Sequence, residues 1–421
     1  MAPDTQSSAN QAMTSPRLLL PKEIQAARDR LAGIIKPTPL IRSDTLDRIL
    51  GAHVRIKPEN LQKTGSFKIR GAYNRLMTLT GEQKSRGVVA ASAGNHGQAL
   101  AYAATRAGVT ATIVMPTTAA IAKIDATRSY GQSVVLEGID YQAARAAATK
   151  ICAERCASFI DAYDDPYVIA GQGTVGMEIA DEITPDVVMV PVGGGGLIAG
   201  IAAALAVRAP GAEVIGVEAA GSPQLSASLA ADAPASVGRP VDTIADGLAT
   251  GRIGAIPFEV MRGRVRRAVT VDDFEIGEAV LLLLERLKLL AEGAGAAALA
   301  GALKLKDELK GKTVVLVVSG GNIDTNLLDR IIGHGLVKVG RLFRVAVDLR
   351  DRPGELGKLV SAIGATGANV RAIDHDRTRR DVAIGGARVM LELETRGPAH
   401  IEAIREQLKR HGYQFEVPAL G

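Results

Sequence analysis

The sequence has no tryptophan, and with six phenylalanines and seven tyrosines its aromatic content is only 3% of 421 residues. A core must therefore be built from Ala, Val, Ile and Leu. Apolar residues make up 47%, enough to bury a large core and to exclude disorder of the whole chain. Cysteine is scarce too: Cys152 and Cys156 are the only two. They lie four apart in an Ala-rich helical stretch, so both read as buried helix-face residues rather than a metal site or a disulfide, and a reducing cytoplasm fits. Long uncharged apolar runs are missing. The longest apolar region, residues 281–303, is broken by Glu285, Arg286, Lys288 and Glu292, so it reads as buried helices and not a membrane span. The polar first 20 residues lack an apolar signal core and read as a flexible tail. Excess charge is modest, at +5, and the densest basic run, RTRR at 377–380, has no aromatic residues beside it. It reads as a solvated loop, which argues against a nucleic-acid partner.

Glycine, by contrast, is abundant, with 46 residues, and the length suits two or three domains. Between about residues 85 and 320, short apolar runs alternate with helical stretches such as 97–107, 140–155 and 197–208. This is the βαβ rhythm of an open, mostly parallel α/β sheet. Three runs end in small-residue loops: ASAGNHG (91–97), PVGGGGL (191–197) and VSGGN (318–322). Ligands of such sheets bind at the carboxyl ends of strands, so three such loops predict one shared pocket. After residue 333 the pattern changes to βαββαβ, a separate small α+β domain over 342–421 joined by a linker at 334–341.

The Gly193–Gly196 run stands between a strand and a helix. Glycines allow several N–H groups to point at one centre and the helix N-terminus adds positive dipole, which together make a phosphate cradle. Gly194, Gly196 and Ala199 also match a dinucleotide fingerprint, with Glu218 near the place of a ribose-binding acid, so a nicotinamide-dependent dehydrogenase is one reading. It leaves the other two loops unexplained. Lys68, in QKTGSFKIRG, lies in no Walker loop and has apolar neighbours. A partly buried lysine has a lowered pKa and condenses with an aldehyde. Pyridoxal phosphate needs such a lysine, a phosphate cradle and a partner for its pyridine nitrogen. Lys68, Gly193–Gly196 and Ser319 supply one of each.

The stretches KPENLQKTGSFKIRGA, ASAGNHGQALA, YDDPYVIAGQGT, PVGGGGLIAG, TIADGLA and VVSGGN, in this order over residues 20 to 333, resemble the threonine dehydratases (threonine ammonia-lyases). These share the pyridoxal-phosphate fold of tryptophan synthase β. DRPGELGKLVSAIGATGANV resembles an ACT domain, a regulatory module that often binds amino acids. The resemblance implies a two-lobed catalytic domain over 21–333, with a smaller lobe at roughly 72–165, and an ACT-like domain over 342–421. It implies dehydration and deamination of L-threonine, with L-serine a weaker substrate, in a homodimer or homotetramer, a reaction of isoleucine biosynthesis.

At single residues the resemblance implies that Lys68 holds the cofactor and takes the Cα proton. Phe67 packs by the ring, Asn95 bonds its phenolic oxygen, Gly193, Gly194, Gly195, Gly196 and Leu197 hold the phosphate, and Ser319 faces the pyridine nitrogen. Ser92, Asn95 and His96 lie where the substrate carboxylate binds, although His96 reads equally as a structural hydrogen-bonder. The proton for the leaving hydroxyl would come from the cofactor phosphate. Serine racemases carry an acid–base serine where this chain has Ala93, so dehydration is favoured over racemisation. A racemase or hydroxyaspartate dehydratase of the same fold is the alternative. Glu218 is a ribose ligand, an ion ligand or a salt-bridging carboxylate; Gln224, standing where the racemases have a second acid, argues against a divalent metal and leaves a monovalent ion open. Gly354, Leu356 and Asn369 sit where ACT effector pockets form, unless the domain serves only as an interface.

Overall fold

The computed structural model describes residues 21–238, 243–378 and 382–418. The expected tail and two of the arginines in RTRR lie outside them. The chain divides into two compact units between Asp324 and Thr325.

The first unit contains two sheets. Six strands form the larger, in the order Ile41–Arg42, His53–Pro58, Thr313–Val318, Val187–Pro191, Glu213–Ala219 and Val265–Val271. Apart from the first pairing, all neighbours are parallel. Four parallel strands form the smaller, in the order Ser133–Leu136, Ala111–Met115, Val88–Ala91 and Ser158–Phe159. The α/β expectation holds. Buried runs such as VVMVP and TVVLVV make central parallel strands because both faces are covered by helices. Periodicity alone does not divide them between two sheets.

Three helices of this unit meet backbone to backbone. The helix Pro166–Glu182 starts under strong local control: Asp165 accepts from the N–H groups of Tyr167 at 2.8 Å and Val168 at 3.0 Å, and proline takes the first turn. On one side its Gly171 abuts the helix Lys68–Met77, where an added methyl would lie 2.5 Å from the Arg70 carbonyl. On the other side it meets the helix Gly196–Arg208, where a methyl on Gly200 would lie 2.5 Å from both Gly173 N and Ile169 O. Only glycine permits these approaches.

Beneath that stack lies a buried charge network. Arg70 donates to both oxygens of Glu59 at 2.7 Å and to Glu178 at 2.6 and 2.9 Å. Lys57 donates to Glu178 at 2.6 Å, so two cations balance two carboxylates. The side chains of Lys57, Glu59 and Arg70 are fully buried.

The second unit is a four-stranded antiparallel sheet, ordered Asn369–Asp376, Gly386–Glu394, Leu342–Arg350, Gln414–Glu416. The amphipathic helices Glu355–Gly364 and Pro398–Arg410 contribute Leu359, Ile363, Ile404 and Leu408 to its core. Residues 334–338, read as linker, are instead the end of the helix Thr325–Lys338, whose apolar residues recur at helical spacing.

One further sequence expectation changes. The helix holding Cys152 ends at Glu154, so Cys156 falls beyond it, exposed, in left-handed backbone at φ +50° rather than buried on the helix face. The 281–303 region consists of separate helical segments, as read: a π-turn ends at Leu287, irregular backbone follows, and helix restarts at Gly293. No helix among the described residues is long and apolar enough to cross a membrane.

Candidate active site

The carboxyl ends of both sheets in the first unit open onto one cavity of about 470 Å³. All three small-residue loops line it, and so does every residue of the catalytic domain singled out for cofactor or substrate: Phe67, Lys68, Ser92, Asn95, His96, Gly193–Gly196, Leu197 and Ser319. Ala93 lines it as well.

Lys68 opens its helix, and the loop before it is pinned to the loop after strand Thr313–Val318. Phe67 N donates to Ser319 O at 3.1 Å, and Gly321 N donates to Gly65 O at 2.9 Å. Lysine and serine therefore share one wall. The Lys68 amine donates to Ala162 O at 2.9 Å and lies 5.2 Å from the centre of the Phe67 ring. Its burial lowers the pKa to about 8, against the opposing pull of the Asp161 and Glu292 carboxylates.

The glycine run occupies the N-terminus of the helix Gly196–Arg208. Gly195 has φ +92°, a conformation that favours glycine. A methyl on Gly193 would lie 2.7 Å from Gly247 O, and one on Gly194 would lie 2.3–2.4 Å from three ring carbons of Tyr163. The loop thus keeps backbone N–H groups clear of side chains at a positive helix end, which fits a phosphate. Ser319 is buried and, among the described residues, its hydroxyl makes only a long 3.4 Å bond to Ala294 O, which leaves it available to a ring nitrogen. On the donor chemistry present, a pyridoxal phosphate group fits the cavity.

The ASAGN loop opens the helix Asn95–Ala107, and Gly94 N donates to Ser92 Oγ at 3.2 Å. His96 is buried with Nε2 3.0 Å from Ile160 O. A carbonyl only accepts, so Nε2 carries the hydrogen and Nδ1, which has no partner among the described residues, is a bare acceptor. Burial, and then the Lys68 charge, lower the His96 pKa to about 4, so the ring is neutral at pH 7.

Several residues of the site had no role in the sequence reading. Glu292 is buried on the cavity wall and accepts from Asn95 Nδ2 at 2.6 Å. Burial, and then the charge of Asp246, raise its pKa to about 7. The available signal was a single carboxylate followed by a helix of Gly, Ala and Leu, GAGAAALAGAL, an unlikely place for an unpaired charge. Asn322 donates to Thr64 O at 2.8 Å and to Asn95 Oδ1 at 2.7 Å. Lys123 and Asp246 form an ion pair on the cavity rim. In YDDP the acids are helix caps: Asp165 as above, and Asp164 for Ile256 N at 2.9 Å.

Glu218 is not part of the cavity. It is buried and accepts from Leu225 N at 2.6 Å, from Ser226 N at 3.0 Å and from the Ser226 hydroxyl. Both oxygens accept from the start of the short helix that follows, and among the described residues Glu218 makes no ion pair, so the salt-bridging reading does not hold there. Among the described residues no cluster of three or more His, Cys, Asp or Glu could hold a metal ion. In the second unit, Gly354 precedes the helix Glu355–Gly364 at φ +89°, Leu356 packs against the core, and Asn369 donates to Glu394 at 3.0 Å.

Comparison with known proteins gives two family matches. Residues 31–320 match the family described as pyridoxal-phosphate dependent enzyme, and residues 343–412 match the ACT domain. The chain is 45% identical over 399 residues to the L-threonine ammonia-lyase of Thermotoga maritima, covering 94% of this chain and 98% of that one. Among solved structures, the processed form of threonine deaminase isoform 2 from Solanum lycopersicum is 36% identical with a TM-score of 0.71, over 74% of this chain and 91% of that one. Maize serine racemase is 33% identical with the same TM-score, over 76% and 98%.

Proposed function

The chain belongs to the pyridoxal-phosphate dependent enzyme family and carries an ACT domain, and from that premise we propose that it dehydrates and deaminates L-threonine to 2-oxobutyrate and ammonia, with L-serine a weaker substrate. The observation that carries this reading is the near-full-length likeness, catalytic and ACT regions together, to a protein named L-threonine ammonia-lyase. Ala93 on the cavity wall supports it over the racemase alternative, because a methyl group cannot exchange a proton on the face away from Lys68.

Pyridoxal phosphate supplies an electron sink for the bond to the amino acid Cα. The chain's own residues supply the rest. The N–H groups at Gly193–Gly196 and Leu197, which line the cavity, would hold its phosphate, Phe67 would pack beside the ring, and Asn95 and Ser319 would serve its phenolic oxygen and ring nitrogen. Ser319 is a neutral hydroxyl and does not force a proton onto the nitrogen, which keeps the sink moderate and suits elimination. The start of the helix Asn95–Ala107, with Ser92 and neutral His96, receives the substrate carboxylate at a positive helix end. Lys68 Nζ, with its lowered pKa, is the base that takes the Cα proton. Overall the Cα proton and the β-hydroxyl leave as one molecule of water, and hydrolysis of the resulting unsaturated amine, by way of its imine, gives the 2-oxo acid and ammonia.

In the second unit, Gly354, Leu356 and Asn369 mark a small-molecule site for an amino-acid effector, and the assembly is a homodimer or homotetramer. The decisive experiment is a panel of β-hydroxy amino acids scored for 2-oxo acid and ammonia, run on the wild type and on Lys68→Ala. The wild type is expected to be yellow and fastest on L-threonine, and Lys68→Ala to be inactive. A colourless wild type, or activity surviving Lys68→Ala, would overturn the reading.

A further inference from the structure

Asn95 is an amide on the cavity wall, and an amide is useful to a ligand only if the correct end faces it. Its two ends are fixed by neighbours of opposite character. Asn95 Oδ1 accepts from Asn322 Nδ2 at 2.7 Å, and Asn95 Nδ2 donates to Glu292 Oε1 at 2.6 Å. Asn322 is oriented in turn by a backbone group that cannot flip, because its Nδ2 also donates to Thr64 O at 2.8 Å. Turning Asn95 over would set its amide nitrogen against the Asn322 nitrogen, donor to donor, and its carbonyl against the Glu292 carboxylate. One hydrogen remains on Asn95 Nδ2.

We propose that Glu292 and Asn322 are positioning residues that lock the Asn95 amide, so that its remaining N–H faces the cavity as a dedicated donor to the phenolic oxygen of the cofactor. This rests on the reading of Asn95 given under the proposed function. Two glycines make room for the lock. A methyl on Gly65 would lie 2.3 Å from Asn322 Oδ1, and one on Gly320 would lie 2.3 Å from Glu292 Oε1. The lock thus accounts for Gly65 in KTGSFK and for Gly320 and Asn322 in SGGN. The raised pKa of Glu292 does not break it, because a neutral carboxyl can still accept through its carbonyl oxygen.

The test uses the full-length protein, stripped of cofactor and titrated with pyridoxal phosphate. Binding is read from protein fluorescence and from the visible absorption band. Glu292→Ala removes the acceptor, and Asn322→Asp replaces the donor to Asn95 Oδ1 with an oxygen. Each is expected to weaken binding about 3- to 10-fold, the usual worth of one net hydrogen bond, and to shift the band. Glu292→Gln, whose amide oxygen can take the same hydrogen, is expected to stay within about twofold of wild type, a rescue that a merely structural role would not produce. Wild-type affinity and an unchanged band in both damaging variants would overturn the lock, as would Glu292→Gln failing as badly as Glu292→Ala. If Glu292→Ala does not fold by circular dichroism, Asn322→Asp decides alone. A wild type that binds no cofactor sinks the underlying reading, whereas normal wild-type binding with indifferent variants sinks only the lock.

Discussion

Gly194→Ala puts a single methyl group against the face of Tyr163. Its ideal position lies 2.3–2.4 Å from Cγ, Cδ1 and Cδ2 of that ring, where carbon atoms normally stay about 3.5 Å or more apart. Ring and loop must therefore separate by about 1 Å. Tyr163 cannot swing aside freely, because the residue is buried. Overpacking of this kind costs about 1–3 kcal/mol. If the strain falls on the phosphate-holding loop, cofactor affinity drops about 5- to 150-fold, at 1.4 kcal/mol per factor of ten. The assay is fluorescence titration of the cofactor-free protein with pyridoxal phosphate. Tyr163→Ala supplies the control, because in that background the same methyl has room, and Gly194→Ala should then cost less than about threefold. A Gly194→Ala protein that binds within twofold of wild type would refute the argument. So would an undiminished loss in the Tyr163→Ala background, which would mean that the methyl obstructs the ligand and not the ring.

Two other predictions concern the lysine helix. With a pKa near 8, Lys68 is half neutral at pH 8 and about one-tenth neutral at pH 7, whereas an ordinary lysine would be less than about one-thousandth neutral. Cofactor capture by the stripped enzyme, followed by stopped-flow absorbance, should rise about tenfold per pH unit up to 7 and level off above 8; a tenfold rise per unit continuing to pH 10 would show an unperturbed amine. Arg70→Met leaves the fully buried Glu59 without its cation and Glu178 with Lys57 alone, which should cost about 3–5 kcal/mol in denaturant unfolding of the cofactor-free protein. A loss under about 1 kcal/mol would show that the network relaxes or takes up water.

The chemistry of the cavity was more legible than its support. Lys68, the Gly193–Gly196 run and Ser319 stand out because each breaks a local rule: a cation among apolar residues, four flexible residues in a row, a hydroxyl closing an apolar strand. Their convergence follows from the placement of loops at the carboxyl ends of parallel strands. Glu292 and Asn322 break no rule that a window of sequence displays. Glu292 passed as the interruption of an apolar run, and its meaning depends on Asn95, nearly 200 positions earlier. Arg70 was hidden for a related reason: a charge two residues from Lys68 reads as surface until Glu59 and Glu178 are brought to it from other elements. Cys156 failed because a helix end moved by two residues turns a buried face into an exposed turn. The second unit was read almost element for element, since its strands alternate and its helices are amphipathic, with short-range patterns that carry the whole fold.

The three helices that touch through glycine set a dimension. Lys68 starts one outer helix, the Gly193–Gly196 loop starts the other, and Pro166–Glu182 is the spacer between them. At Gly171 against Arg70 and at Gly200 against Gly173 and Ile169, backbone meets backbone directly. The distance from the Lys68 amine to the glycine loop is thus set at these points by backbone contact and not by side-chain size.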